Sequence, residues 1–153
     1  MIDTPKIVDT DALVTAVVRL TVPRSEIQQV MGPAIQEVLA AVAAQRLQPI
    51  GPIFSRHFRM DPGVFDFEVG VPVKLPVTPV GRVIASALPA VRAARTEYRG
   101  GYEGLGAAWG EFENWMKTNG HAAAPGLWES YVTGPESGQA PDHWRTELTR
   151  PLL

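Results

Sequence analysis

A single acid, Glu129, stands inside the apolar stretch Gly126-Leu127-Trp128-Glu129-Ser130-Tyr131-Val132-Thr133. The stretch is rich in aromatic and β-branched residues. It is bounded by Pro125-Gly126 and Gly134-Pro135, and so reads as a strand. Side chains alternate between the faces of a strand, so Leu127, Glu129, Tyr131 and Thr133 share one face. A carboxylate beside a tyrosine on such an element either pairs with an Arg or anchors an apolar pocket. In the second case lost hydration raises its pKa. A bound cation, or a leaving group in need of a proton, then supplies the missing partner. Glu129 is therefore the leading candidate both for binding and for general acid/base catalysis. Tyr131 is its companion, able to hydrogen-bond the acid or a ligand.

Other residues carry weaker signals. Trp109 lies on a helical stripe with Leu105, Ala108, Phe112 and Met116, which suits core packing or a pocket wall. Tyr98 ends a strand just before Gly100-Gly101, where a pocket rim can form. Phe54, Phe58 and Phe67 read as core first and pocket second. Glu68 and Glu147 read as solvated or paired with Arg. His57, His121 and His143 show no clustered or i, i+4 spacing, so no metal site is expected, and no cofactor either. Gly100-Gly101-Tyr102-Glu103-Gly104-Leu105-Gly106 has the glycine content of a phosphate loop. It lacks the Lys-Ser/Thr of a P-loop and an acid at the dinucleotide spacing. No Ser-His-Asp arrangement can be argued from spacing.

The elements that must position these residues are legible in order. Lys6–Asp9 reads as a short strand and Asp9-Thr10-Asp11 as a turn. A longer strand follows, with Val14, Ala16, Val18, Leu20 and Val22 on one face. Ser25 with Gln28 forms a capping-box pair that opens a helix striped by Ile27, Val30, Met31, Ile35, Val38, Leu39 and Val42. Pro33 within it predicts a kink or a separate first turn. Ile53–Met60 and Val64–Val73 read as strands around the turn Asp61-Pro62-Gly63, with Phe65, Phe67, Val69 and Val71 inward. Residues 75–81 are proline-rich and nearly uncharged, the best linker candidate. Strands follow at Arg82–Leu88 and Val91–Tyr98. The second helix ends at Asn119-Gly120, where glycine suits a left-handed cap. The Glu129 strand, a long turn and a last strand at His143–Arg150 complete the chain.

The two halves align on each other. Met31-Gly32 falls on Leu105-Gly106, and Phe65–Pro72 on Trp144–Pro151, which brings Glu68 onto Glu147. Pro52-Ile53-Phe54-Ser55 falls on Leu127-Trp128-Glu129-Ser130, so Phe54 is the expected counterpart of Glu129. The expected architecture is an α+β single domain over residues 1–153. It is a pseudo-twofold tandem repeat of a hairpin–helix–hairpin module, with repeats at about 1–74 and 82–153, the linker at 75–81, and a ligand cleft between the halves.

Composition sets the outer limits. The chain has 153 residues, 45% hydrophobic and 20% charged, with a formal charge of −2. Nothing in that balance attracts nucleic acid. The chain has no Cys, which excludes disulfides and thiol catalysis. No apolar run approaches the ~20 residues of a membrane helix, and no signal pattern opens the chain. A cytoplasmic monomer or weak dimer, free of membrane and of direct nucleic-acid contact, is expected.

Tyr98-Arg99-Gly100-Gly101-Tyr102-Glu103-Gly104-Leu105, then Trp109 and Trp115, Trp128-Glu129-Ser130-Tyr131, Trp144-Arg145-Thr146-Glu147 and Pro151-Leu152 resemble the GyrI-like family, named after a gyrase-inhibitory protein of bacteria. The resemblance is strongest in the second half. It implies a tandem sheet-and-helix repeat, the effector-binding half of multidrug-responsive transcription activators, where the acid matching Glu129 lies in an aromatic pocket and meets lipophilic cations. Some stand-alone members are similar to hydrolases that open the cyclopropane ring of DNA-alkylating natural products, using an acid and aromatic neighbours in the same cleft. No helix-turn-helix is expected in the chain, with no spare residues to build one. The resemblance thus implies a stand-alone binder of lipophilic, often cationic, small molecules, suited to protection against xenobiotics. Its ligand contacts would be Glu129, Tyr131, Trp109, Tyr98, Phe54, Phe58 and Phe67. The alternatives are a cyclopropanoid hydrolase with Glu129 and Tyr131 catalytic, and a protein inhibitor of gyrase.

Overall fold

A computed structural model of the protein describes residues 2–61 and 63–153. Along them run β1 (Lys6–Asp9), β2 (Leu13–Pro23), α1 (Ile27–Ala44), β3 (Phe54–Asp61), β4 (Val64–Pro72) and β5 (Val83–Leu88). Then come β6 (Arg92–Arg99), α2 (Leu105–Thr118), β7 (Leu127–Thr133) and β8 (Arg145–Pro151). The class is α+β with antiparallel pairing. Pro62, the centre of the expected turn between β3 and β4, lies outside the described residues. Among the described residues no helix is long and apolar enough to cross a membrane.

The chain forms two compact units, Asp11–Ala90 and Met1–Thr10 with Val91–Leu153. In the Asp11–Ala90 unit the strands pair in the order β5-β2-β4-β3. Ala16, Val18 and Leu20 of β2 and Phe67, Val69 and Val71 of β4 pack with Ala34, Val38, Ala41 and Val42 of α1. This is the period-2 face of the strands meeting the period-3.6 stripe of the helix. In the other unit the order is β1-β6-β8-β7. Ala94, Tyr98 and Leu148 there pack with Ala108, Phe112 and Met116 of α2.

The tandem repeat is thus present, with its leading strands exchanged. β1 opens the first repeat yet pairs with β6, and β5 opens the second yet pairs with β2. Thr10 secures the first exchange: its N–H and hydroxyl bond the Val91 carbonyl, at 2.8 and 3.2 Å, and its hydroxyl accepts the Val91 N–H at 2.9 Å. The boundaries of the compact units, at residues 10/11 and 90/91, therefore fall away from the proline-rich segment 75–81. That segment stays within the Asp11–Ala90 unit. Val77 is buried in its core, and the Gln45 amide clamps Thr78 by two bonds of 2.8 and 2.7 Å.

Local expectations at the helix ends fared differently. Ser25 and Gln28 do not form a capping box. Arg24–Glu26 make a 3-10 turn, and the Ile27 N–H bonds the Arg24 carbonyl with no side-chain cap. α1 then continues through Pro33. The cap at Gly120 is left-handed, with φ 74°. The His121 N–H returns to the Met116 carbonyl at 2.9 Å, which satisfies one of the last helical acceptors.

Register corrects the alignment of the repeats by one residue. Phe54 pairs with Gly70, and Trp128 with Thr149, the counterpart of Gly70. Phe54 thus corresponds to Trp128, and Ser55, opposite Val69, corresponds to Glu129, opposite Leu148. A slip of one residue turns every side chain of a strand to the other face. Phe54 accordingly lies in the cross-strand row Val17–Gly70–Phe54, away from the α1 side.

Candidate functional site

Glu129 lies on β7 directly opposite Leu148 of β8, and Tyr131 opposite Thr146. Residues directly opposite in an antiparallel pair share a face. Leu148 belongs to the core under α2, so Glu129 and Tyr131 point to the helix-covered side. There α2 presents Trp109. The indole N–H of Trp109 donates to Glu129 Oε1 at 2.9 Å. The hydroxyl of Tyr131 donates to Glu129 Oε2 at 3.0 Å. Each carboxylate oxygen is thereby held by one neutral donor and keeps acceptor capacity.

No cation is ion-paired with Glu129 among the described residues. Burial pushes its carboxyl above the ordinary value of 4.5, and the bonds from Trp109 and Tyr131, which favour the anion, offset only part of that push. The other acids differ. Glu97 meets Arg145 at 2.9 Å, Glu113 meets Arg150 at 3.0 Å and Glu147 meets Arg95 at 3.5 Å. Glu147 is thus Arg-paired, one of the two alternatives expected of it, solvated or paired. Glu68 is buried and accepts the Ser86 hydroxyl at 2.9 and 3.0 Å.

Two rings absent from the sequence-based set of contacts complete the surroundings. Tyr102 lies edge-on to Tyr131, centroids 5.6 Å apart, and tilted against Trp144 at 5.0 Å. Burial raises the Tyr102 hydroxyl pKa, and the charges of Glu136 and Glu129 raise it further. Tyr102 and Trp144 sit in or beside 3-10 turns, where no periodic pattern marks them; the pair Gly100-Gly101 just before Tyr102 was the available signal. Trp109 itself stacks in tilted fashion on Phe112 at 5.7 Å.

The remaining candidates are placed elsewhere. Tyr98 is 6% exposed and belongs to the core, not to a rim; its hydroxyl donates to the Gly101 carbonyl at 2.8 Å. A Cβ on Gly104 would stand 2.1 Å from that hydroxyl, so Tyr98 dictates the glycine. Phe67 is fully buried under α1. Phe58 lies beneath two guanidinium groups, 4.2 Å from Arg19 and 4.7 Å from Arg56. Among the described residues no group of three or more His, Asp or Glu could hold a metal ion.

The arrangement can hold a cation against a carboxylate whose hydration the rings have displaced. In its protonated form the same carboxyl could give a proton to a bound molecule.

Comparison with known proteins bears on the family and the fold. Residues 3–153 match the model of the GyrI-like small molecule binding domain. No curated protein matches the chain. Among solved structures, the C-terminal domain of EcmrR superposes with TM-score 0.85 at 22% identity, over 98% of this chain and 97% of that one. In the complex of EcmrR with DNA the match covers 97% of this chain and 57% of the EcmrR chain, at TM-score 0.84 and 22% identity. This chain therefore spans little more than half the length of EcmrR. The structure of SAV2435 bound to tetraphenylphosphonium gives TM-score 0.66 at 12% identity, over 99% of this chain and 94% of that one. A hydrolase encoded by lin2189 from Listeria innocua gives 0.67 at 11%, over 97% and 91%. At such identities the likeness establishes the fold.

Proposed function

The chain belongs to the GyrI-like small-molecule binding family, and from that premise we propose that it binds lipophilic cations at Glu129. The observation that carries the reading is the pairing of a desolvated carboxylate with two neutral donors, Trp109 and Tyr131, and with no ion-paired cation among the described residues. A cation without hydrogen-bond donors suits this site. It completes the charge balance without displacing the Trp109 and Tyr131 bonds, and the rings of Trp109, Tyr131 and Tyr102 supply apolar area and cation–π attraction. Tetraphenylphosphonium, held by the structural neighbour SAV2435, is a ligand of this chemistry.

Calorimetry with tetraphenylphosphonium and with neutral triphenylphosphine oxide tests it. The cation is expected to bind and the neutral compound to bind much more weakly. Glu129→Gln keeps the shape and removes the charge, and should weaken the cation by about 1–3 kcal/mol. Equal affinity of the parent and Glu129→Gln for the cation would show that Glu129 is not the anchor.

A second reading is favoured by the raised pKa of Glu129 and the Tyr131 hydroxyl on its Oε2. Together they suit general acid/base opening of a strained ring in a cyclopropane-bearing alkylator, the ring bond breaking toward an electron-poor arene while water adds to carbon. Multiple turnovers per chain support that reading; a plateau at one product or fewer per chain removes it and leaves the binding domain.

A further inference from the structure

The corrected register sets Ser55 and His57 of β3 in the places that Glu129 and Tyr131 hold on β7. Ser55 faces Val69 where Glu129 faces Leu148; His57 faces Phe67 where Tyr131 faces Thr146. The likeness extends to the backbone. The β3–β4 ladder shifts between His57 and Arg59, and the β7–β8 ladder shifts between Tyr131 and Thr133. Such bulges re-aim side chains and are over-represented next to binding sites. Both pairs are also hydrogen-bonded along their strand, Ser55 Oγ to His57 Nε2 at 3.3 Å and Tyr131 to Glu129 at 3.0 Å.

The chemistry of the two pairs differs. The imidazole of His57 stacks on Phe67 at 5.0 Å and 17° and meets Phe65 edge-on at 5.3 Å. It is 6% exposed, and its Nδ1 is buried without a hydrogen-bond partner among the described residues. A buried polar atom left unmatched is uncommon and destabilising, and a ligand that supplies the partner recovers that loss.

We propose that the Ser55–His57 pair is a second ligand subsite, one that takes the hydroxyl of a neutral aromatic molecule of the phenol class at His57 Nδ1. A phenolic hydroxyl both donates and accepts, so it matches Nδ1 in either tautomer that the Ser55 bond allows. The aromatic body matches the Phe65 and Phe67 surroundings. Burial lowers the His57 pKa to about 4, so the ring is uncharged at neutral pH and the subsite gives no advantage to an ion. This subsite is separate from Glu129 and does not depend on the cation reading.

The test is long-range proton–nitrogen NMR of the 15N-histidine-labelled full chain, titrated at pH 7 with phenol. A saturable change at the His57 Nδ1 resonance is expected, with His121 and His143 unmoved. The change should persist in Glu129→Gln, which separates this subsite from the Glu129 site. In His57→Phe, where a ring still stacks on Phe67, saturable phenol binding read by ligand-observed NMR should be lost. Ser55→Ala, which leaves Nε2 without its partner, should alter the starting Nε2 resonance and keep the phenol response at Nδ1. A His57 spectrum indifferent to phenol, or undiminished phenol binding by a folded His57→Phe, overturns the assignment.

Discussion

Trp109 donates its indole N–H to Glu129 Oε1 at 2.9 Å, joining α2 to β7 at a carboxylate that Tyr131 holds from its other oxygen. Two hydrogen bonds to the anion and the loss of water around it act in opposite directions, and desolvation is the larger effect. The acid is therefore fixed in place but poorly stabilised as an ion. That combination leaves interaction energy for a cation that arrives from outside.

Removing the Trp109 donor should make this imbalance worse. Trp109→Phe keeps a ring over Phe112 and deletes the N–H. The Glu129 carboxyl should then titrate at a higher pH than in the parent, because a bond that favours the anion is gone. Tetraphenylphosphonium affinity measured against pH reports it: the midpoint of the acid-side loss should move upward. An unchanged midpoint would mean that the indole N–H does not act on the charge of Glu129.

The parent has its own pH dependence. The Glu129 pKa is raised above 4.5 in the folded protein, so the carboxylate is present above that raised value and lost as pH falls through it. Cation affinity should therefore fall as the pH is lowered through that raised value. Glu129→Gln should give a flat, weaker profile over the same range. The sign for stability is opposite. A raised folded-state pKa favours the fold most below the unfolded value, and that advantage disappears as pH rises through the folded pKa. Above the folded pKa, Glu129→Gln should therefore be more stable than the parent, read as a higher urea midpoint. A parent profile as flat as that of Glu129→Gln would contradict both arguments.

Much of this could be read from the sequence, and the misses have physical causes. β7 and the α2 stripe follow from period-2 and period-3.6 patterns, which depend only on which side is buried. Those same patterns do not say which strand is the neighbour, so β1 looks alike whether it pairs with β2 or with β6. The one-residue error at Phe54 arose where an apolar run, Ile53-Phe54, precedes Ser55 and gives no alternation to fix the face. Tyr98 was misplaced at a rim because a strand end before two glycines does not reveal that its hydroxyl turns inward to Gly101. Tyr102 and Trp144 lie in turn segments, where only the folded chain brings them to Tyr131.

Two glycines separate backbone necessity from tolerance. A Cβ on Gly70 would come 1.9 Å from the Ala16 carbonyl oxygen, a backbone atom that cannot swing aside. On Gly110, in the middle of α2, it would meet nothing within 4 Å. Gly70→Ala should thus destabilise by several kcal/mol through strand separation, the scale of a severe packing fault. Gly110→Ala should stabilise by about 0.5–1 kcal/mol, the usual gain in a helix interior. Chemical denaturation of the two variants tests the contrast, and a Gly70→Ala protein as stable as the parent would show that β2 and β4 can move apart freely.

Acid should weaken the Asp11–Ala90 unit through His57. Its pKa falls from 6.5 to about 4 on burial among Phe65 and Phe67. Between those values the unfolded chain binds a proton that the folded chain refuses, so stability decreases as pH falls. The favourable reference is fully in place above 6.5, and the loss is complete near 4. A shift of this size corresponds to roughly 3 kcal/mol. His57→Phe removes the titration while keeping an aromatic ring against Phe67. The carboxylates bonded to arginine, such as Asp66 with Arg19, also respond to acid, and Glu129 responds with the opposite sign. The informative quantity is therefore the difference between the parent and His57→Phe, each in the Glu129→Gln background, from urea unfolding at pH 7, 5.5 and 4.5. That difference should shift steadily in favour of His57→Phe as the pH falls. Parallel stability curves for the two proteins would show that His57 takes up its proton as readily in the fold as outside it.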